Sequence, residues 1–111
     1  MSYDRKRGKH MNHRVHRTIY VTDPVTEFKQ STMLHWEDIV TDAYNTRDIN
    51  RFISNNEYKL YAKRLSSFYL NADLYDKILA ESSALHMTFS KYMTMLLHDY
   101  VSQQNVSRET L

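Results

Sequence analysis

Residues 66–78, SSFYLNADLYDKI, set the strongest limit on what this chain can fold into. Phe68 and Leu70 alternate with Ser67 and Tyr69, the period of two that marks a half-buried strand. A helix signal follows without a gap. Asn71 or Asp73 can cap it, and Asp73 and Asp76 fall in its first turn, where the helix dipole favours negative charge. A strand exposes a row of N–H and C=O groups that must find a ladder partner. That partner comes either from elsewhere in the sequence or from a second copy of the chain.

The helix after the strand has an apolar face of Leu74, Tyr75, Ile78, Ser82 and Leu85. The pattern stops at His86-Met87, and Thr88 is a good N-cap for a second helix. Phe89, Tyr92, Met93, Leu96, Leu97, Tyr100 and Val101 then recur at helical spacing and predict a helix of about three to four turns. Beyond Val101 the pattern is lost, and residues 104–111 are expected to fray.

Upstream, TIYVT at 18–22 reads as a possible short strand closed by a turn at Asp23-Pro24. Met33, Trp36, Ile39, Val40 and Ala43 have helical spacing between Thr32 and Tyr44. Ile49, Phe52 and Ile53 suggest a short helix that stops near Ser54-Asn55-Asn56. Tyr58, Tyr61 and Leu65 suggest another turn or two. No internal repeat is visible. A single Gly and a single Pro in 111 residues argue for helices joined by short connections, since all-β folds need many tight turns.

Charge is uneven. Residues 1–17 hold Arg5, Lys6, Arg7, Lys9, Arg14 and Arg17 against Asp4 alone, while seven acids face three bases over 18–58. The basic segment lacks periodicity and is expected to be a disordered arm suited to a polyanion. His10, His13 and His16 sit in it without a scaffold or nearby carboxylates, so no metal is expected. There is no Cys, which fits a reducing compartment and excludes a thiolate nucleophile. No apolar run is long enough for a membrane span, and the basic start lacks the apolar region of a secretory signal; a cytoplasmic setting is expected. No Gly-rich phosphate loop or HExxH occurs, and His35, Glu37 and Asp38 are too close in sequence to face one another on a helix. Neither enzyme activity nor a cofactor is expected.

The order strand, helix, short turn, helix over residues 63–103 resembles the ribbon-helix-helix DNA-binding domains of bacterial, plasmid and phage repressors. Leu70, Leu74, Ile78, Ser82, Leu85, Met87, Thr88, Ser90, Met93, Leu97 and Tyr100 fall in the family's register without a gap. His86 stands where the family has a turn glycine, Phe89 where a basic residue is common, and Ser66 where an inner apolar residue is usual. The resemblance implies a mainly α protein with one short β-strand, its ribbon-helix-helix forming an intertwined homodimer around Phe68, Leu70, Leu74, Ile78, Leu85, Tyr92, Met93, Leu96, Leu97 and Tyr100. The ribbon would enter the major groove of double-stranded DNA, with Ser67, Tyr69 and Leu65 at the bases. Lys63, Arg64, Thr88, Phe89, Ser90 and Lys91 would contact phosphates, and the basic arm would add further phosphate or groove contacts. Residues 18–62 would be an acidic helical extension, with 23–57 open to a protein partner. In the competing reading Thr18–Thr22 pairs with Ser66–Leu70 inside one chain, and the groove-reading surface is lost. A further alternative is a helical interaction module, such as an antitoxin or inhibitor, with DNA binding secondary or absent.

Overall fold

In the computed structural model, which describes residues 13–109, the strand at 66–70 finds its partner inside its own chain. Strand β1 (Arg14–Thr22) runs antiparallel to strand β2 (Lys63–Asn71), with Arg14 facing Asn71, Thr18 facing Ser67 and Thr22 facing Lys63. The expectation of one short strand in an intertwined homodimer is thereby corrected. Among the described residues there are two nine-residue strands, and each completes the other's ladder within one molecule. Residues 14–17, read as part of a disordered arm, begin β1. An antiparallel ribbon covered on one face accepts charged side chains on the other, so the charge run concealed a strand.

Helix α1 (Asp23–Thr32) leaves β1 directly, and α2 (Trp36–Asn45) follows it. Asp23-Pro24 therefore opens a helix and does not form a turn; proline's fixed φ and missing N–H suit a first helical turn. The apolar spacing from Thr32 to Tyr44 is broken at Met33, whose φ of 60° ends α1. Helix α3 (Ile49–Ser54) and a 3-10 turn at Glu57–Leu60 lead into β2. Helix α4 (Ala72–Ala84) is capped by Asn71, whose Oδ1 accepts the Leu74 N–H at 2.9 Å. Helix α5 (Phe89–Glu109) runs on through residues expected to fray. Thr88 Oγ1 accepts the Lys91 N–H at 3.1 Å, the cap its sequence position suggested.

Strand, helix, helix thus occurs twice, over 14–45 and over 63–109. The two units match place by place. Ile19 and Val21 are the buried sixth and eighth residues of β1, and Phe68 and Leu70 hold those places in β2. Asp23 N–H donates to Ala62 O at 2.9 Å, and Ala72 N–H donates to His13 O at 3.2 Å, closing the two ends of the ribbon in the same way. Met33 and His86 are, among the described residues, the non-glycine positions with positive φ, and each ends the first helix of its unit. At His86 the turn is a full Schellman closure, with Met87 N–H to Ser82 O at 2.9 Å and His86 N–H to Ser83 O at 3.0 Å. At Met33 a single bond from its N–H to Lys29 O at 2.8 Å does the same work. Ile39, Val40 and Ala43 on α2 are buried at the spacing of Tyr92, Met93 and Leu96 on α5.

The helices cover one face of the ribbon. The residues expected to form a dimer core (Phe68, Leu70, Leu74, Ile78, Tyr92, Met93, Leu96, Leu97 and Tyr100) are buried, and Leu85 is partly so. Their neighbours come from the first half of the same chain. Trp36 stacks on Phe68 with ring centroids 4.3 Å apart, and Phe52 meets Tyr92 edge-on at 5.3 Å. Residues 18–62 are therefore half of the core and not an extension of it. The linker between the two units, residues 46–62, is held by paired charges: Arg47 clamps Glu81 through two bonds of 2.6 and 2.7 Å, and Arg51 clamps Asp99 through bonds of 2.8 and 3.0 Å. Tyr92 and Tyr100 donate to Glu81 and Asp42. The Arg47 bond outweighs burial and holds the Glu81 carboxyl below its ordinary range.

Candidate nucleic-acid interface

The period of two in both strands sends one set of side chains under the helices and leaves the other bare. The bare face is built of three directly opposed pairs, His16 with Tyr69, Thr18 with Ser67, and Tyr20 with Leu65, and all six residues are exposed. Tyr20, Tyr69 and Leu65 are each more than half exposed, an unusual state for large apolar or aromatic side chains; Tyr20 and Leu65 are opposed at one end of this face and Tyr69 lies at the other. The His16 and Tyr69 rings lie 4.7 Å apart, and the Thr18 and Ser67 hydroxyls 3.5 Å apart. The ribbon backbone is braced from the sides: Thr94 Oγ1 donates to Tyr20 O at 2.9 Å, and Arg14 donates to Tyr69 O at 3.4 Å.

Ser67, Tyr69 and Leu65, expected at the bases, thus share one open surface. Sequence reasoning weighed a strand at Thr18–Thr22 paired with Ser66–Leu70 but did not count His16, Thr18 and Tyr20 into this surface. The signal was present, because Thr-Ile-Tyr-Val at 18–21 carries the same polar, apolar, aromatic, apolar order as Ser-Phe-Tyr-Leu at 67–70.

The flanks differ. At the start of α5, Phe89 is buried and its ring lies under the Arg17 guanidinium at 4.4 Å, while Arg17 also donates to Tyr75 Oη at 2.9 Å. Thr88 and Lys91 are exposed and Ser90 is half-buried. By helix geometry the Phe89 and Ser90 N–H groups have no acceptor within α5. Phe89 can thus offer its backbone but not its side chain to a phosphate. At the start of α2 stand the acids Glu37 and Asp38. Glu37 Oε2 accepts the Asn71 backbone N–H at 2.7 Å, and Oε1 pairs with Arg14 at 2.9 Å. Burial works against this charge, but the bonds from Arg14 and Asn71 outweigh it and hold the carboxyl below its ordinary range. Lys63 and Arg64 are exposed at the first residues of β2, Arg64 donating to Asp23 at 3.0 Å. An open pocket of about 370 Å³ lies between the ribbon and the α1–α2 turn, lined in part by Lys29, Trp36, Ser67 and Tyr69.

Arg5, Lys6, Arg7, Lys9 and His10 lie outside the described residues. Among the described residues no cluster of His, Asp or Glu side chains could hold a metal ion, and no helix is long and apolar enough to cross a membrane. Comparison of the chain with protein-family models, curated proteins and solved structures finds no match.

Proposed function

We propose that this is a sequence-specific double-stranded DNA-binding protein that inserts its own β1–β2 ribbon into the major groove, acting in the cytoplasm as a transcriptional repressor or a plasmid or phage accessory factor. The observation that carries the reading is the bare outer face of the ribbon, His16, Thr18, Tyr20, Leu65, Ser67 and Tyr69, with cations along its margins. A groove about 12 Å wide admits a two-stranded ribbon. Hydroxyl, imidazole and phenol groups can donate to or accept from base edges, and Leu65 and the tyrosine rings suit thymine methyls. The pairing of β1 with β2, which the sequence reading treated as fatal to such a surface, supports one instead. The second strand of the ribbon comes from within the chain and leaves the same outward side chains exposed.

Retardation of duplex DNA across a salt series tests this. Affinity should fall steeply with salt, and removing residues 1–12 should flatten that slope and weaken binding to every sequence alike. Ser67→Ala and Tyr69→Ala should instead erode discrimination between sites, by about 1–3 kcal/mol per lost base contact. Binding that ignores duplex DNA at low salt would favour the second reading, a protein-interaction module. Met33 and Leu60, 85% and 80% exposed, are the observation on that side.

A further inference from the structure

We infer that the DNA site read by one chain is not a palindrome, and that His16 and Leu65 are the residues that make its two halves unlike. The inference rests on the DNA-binding reading above. The ribbon has a centre at the Thr18–Ser67 pair, and matched places lie on either side of it. Arg14 in β1 matches Lys63 in β2, so a cation answers a cation. Thr18 matches Ser67, a hydroxyl for a hydroxyl, and Tyr20 matches Tyr69. The remaining outward place holds His16 in one strand and Leu65 in the other.

These two side chains read different chemistry. An imidazole can donate to a purine N7 or accept from an exocyclic amine. A leucine offers neither, and meets a thymine methyl. Their settings differ too. His16 is stacked against Tyr69, whereas Leu65 stands opposite Tyr20 and is 60% exposed. A ribbon made of two copies of one strand must present the same residue at both places. A ribbon made within one chain is free of that constraint, and this one departs from symmetry at a single outward place out of four.

The test is selection of duplexes from a random pool by the full chain, by His16→Leu and by Leu65→His. Both positions are exposed, so folding is not at risk, and circular dichroism checks it. The intact protein should recover a site with two unlike halves. His16→Leu should recover one in which the altered half copies the other, and Leu65→His a palindrome of the opposite kind. Binding of each variant to the original site should weaken about 5- to 150-fold, the range for one base contact. A palindromic site for the intact protein, or an unchanged site for both variants, overturns the inference and leaves the DNA reading standing. Recovery of no sequence above competitor at low salt overturns both.

Discussion

The two strand–helix–helix units share a plan but differ in how they treat their second helix. In the first unit α2 begins with Glu37 and Asp38, and Glu37 is used as a staple to the ends of both strands. In the second unit α5 begins with Thr88, Phe89, Ser90 and Lys91, with the Arg17 cation over the Phe89 ring. Thr88 caps α5, whereas no side chain caps α2. The first N–H groups of both helices lack an acceptor within the helix, but the second start presents the exposed Lys91 where the first presents Glu37 and Asp38, so by charge the α5 flank suits a phosphate better. Two units within one chain can carry different charges at matched places, which two copies of one unit cannot.

The largest test of this comparison asks whether the halves are separable. Phe68→Ala should cost about 3–5 kcal/mol and the matched Ile19→Ala about 2–5 kcal/mol, because both sit in one core. Each variant should unfold in one step in denaturant, with far-UV circular dichroism and Trp36 fluorescence coincident. Two separated transitions would break the picture of a shared core.

Acid should find the next weakness. His98 of α5 is buried, its Nδ1 lies 2.7 Å from Thr22 Oγ1 at the end of β1, and its Nε2 has no partner among the described residues. Burial pushes its pKa below the ordinary 6.5, more strongly than the nearby Glu57 and Asp99 pull it up. The folded state therefore binds this proton less readily than the unfolded state does. The His98 contribution is fully present above about pH 6.5 and is lost as pH falls through the lowered folded value. The urea midpoint should drop between pH 7 and 5, and His98→Gln should flatten that drop. An equal pH dependence in the variant would place the acid sensitivity elsewhere.

Smaller effects should separate the flanks. Lys91→Ala should weaken DNA binding evenly across sequences and lower the salt slope by about one. Asp38→Asn should tighten binding by up to about 1 kcal/mol, since it removes a like charge near phosphate. The reverse pattern would show that the acidic flank is the one facing DNA. Smallest of all, Met33→Gly and His86→Gly should each stabilise the protein by less than about 1 kcal/mol. Relief of the left-handed backbone, about 1–2 kcal/mol, is offset by glycine's looser unfolded chain. Thermal melting decides this, and a lower midpoint would mean that the side chain makes a contact the turn needs.

Much of the second unit was legible. The alternation at Ser67–Leu70, the Asn71 and Thr88 caps and the Phe89–Val101 stripe are local signals, and each formed the expected element. His86 took the left-handed conformation that its place in the turn requires. The first unit was hidden for physical reasons. The charges of Arg14 and Arg17 lowered the apparent strand signal, although one lies at the solvated margin and the other covers an aromatic ring. Asp23-Pro24 is equally good chemistry for a turn and for a helix start. The repeat escaped notice because the matched residues share polarity and not identity, Ile19 with Phe68 or Val40 with Met93. The first helices of the two units also differ in length, and an inserted linker separates the units.

The sequence by itself determined that a strand at 66–70 runs into two amphipathic helices and that the strand needs a partner, because alternation, caps and periodicity act over a few residues. The tertiary structure alone decided who the partner is. Pairing Arg14–Thr22 with Lys63–Asn71 is a choice between distant segments, made when the apolar faces of both units close over one core. Nothing within either strand records that closure.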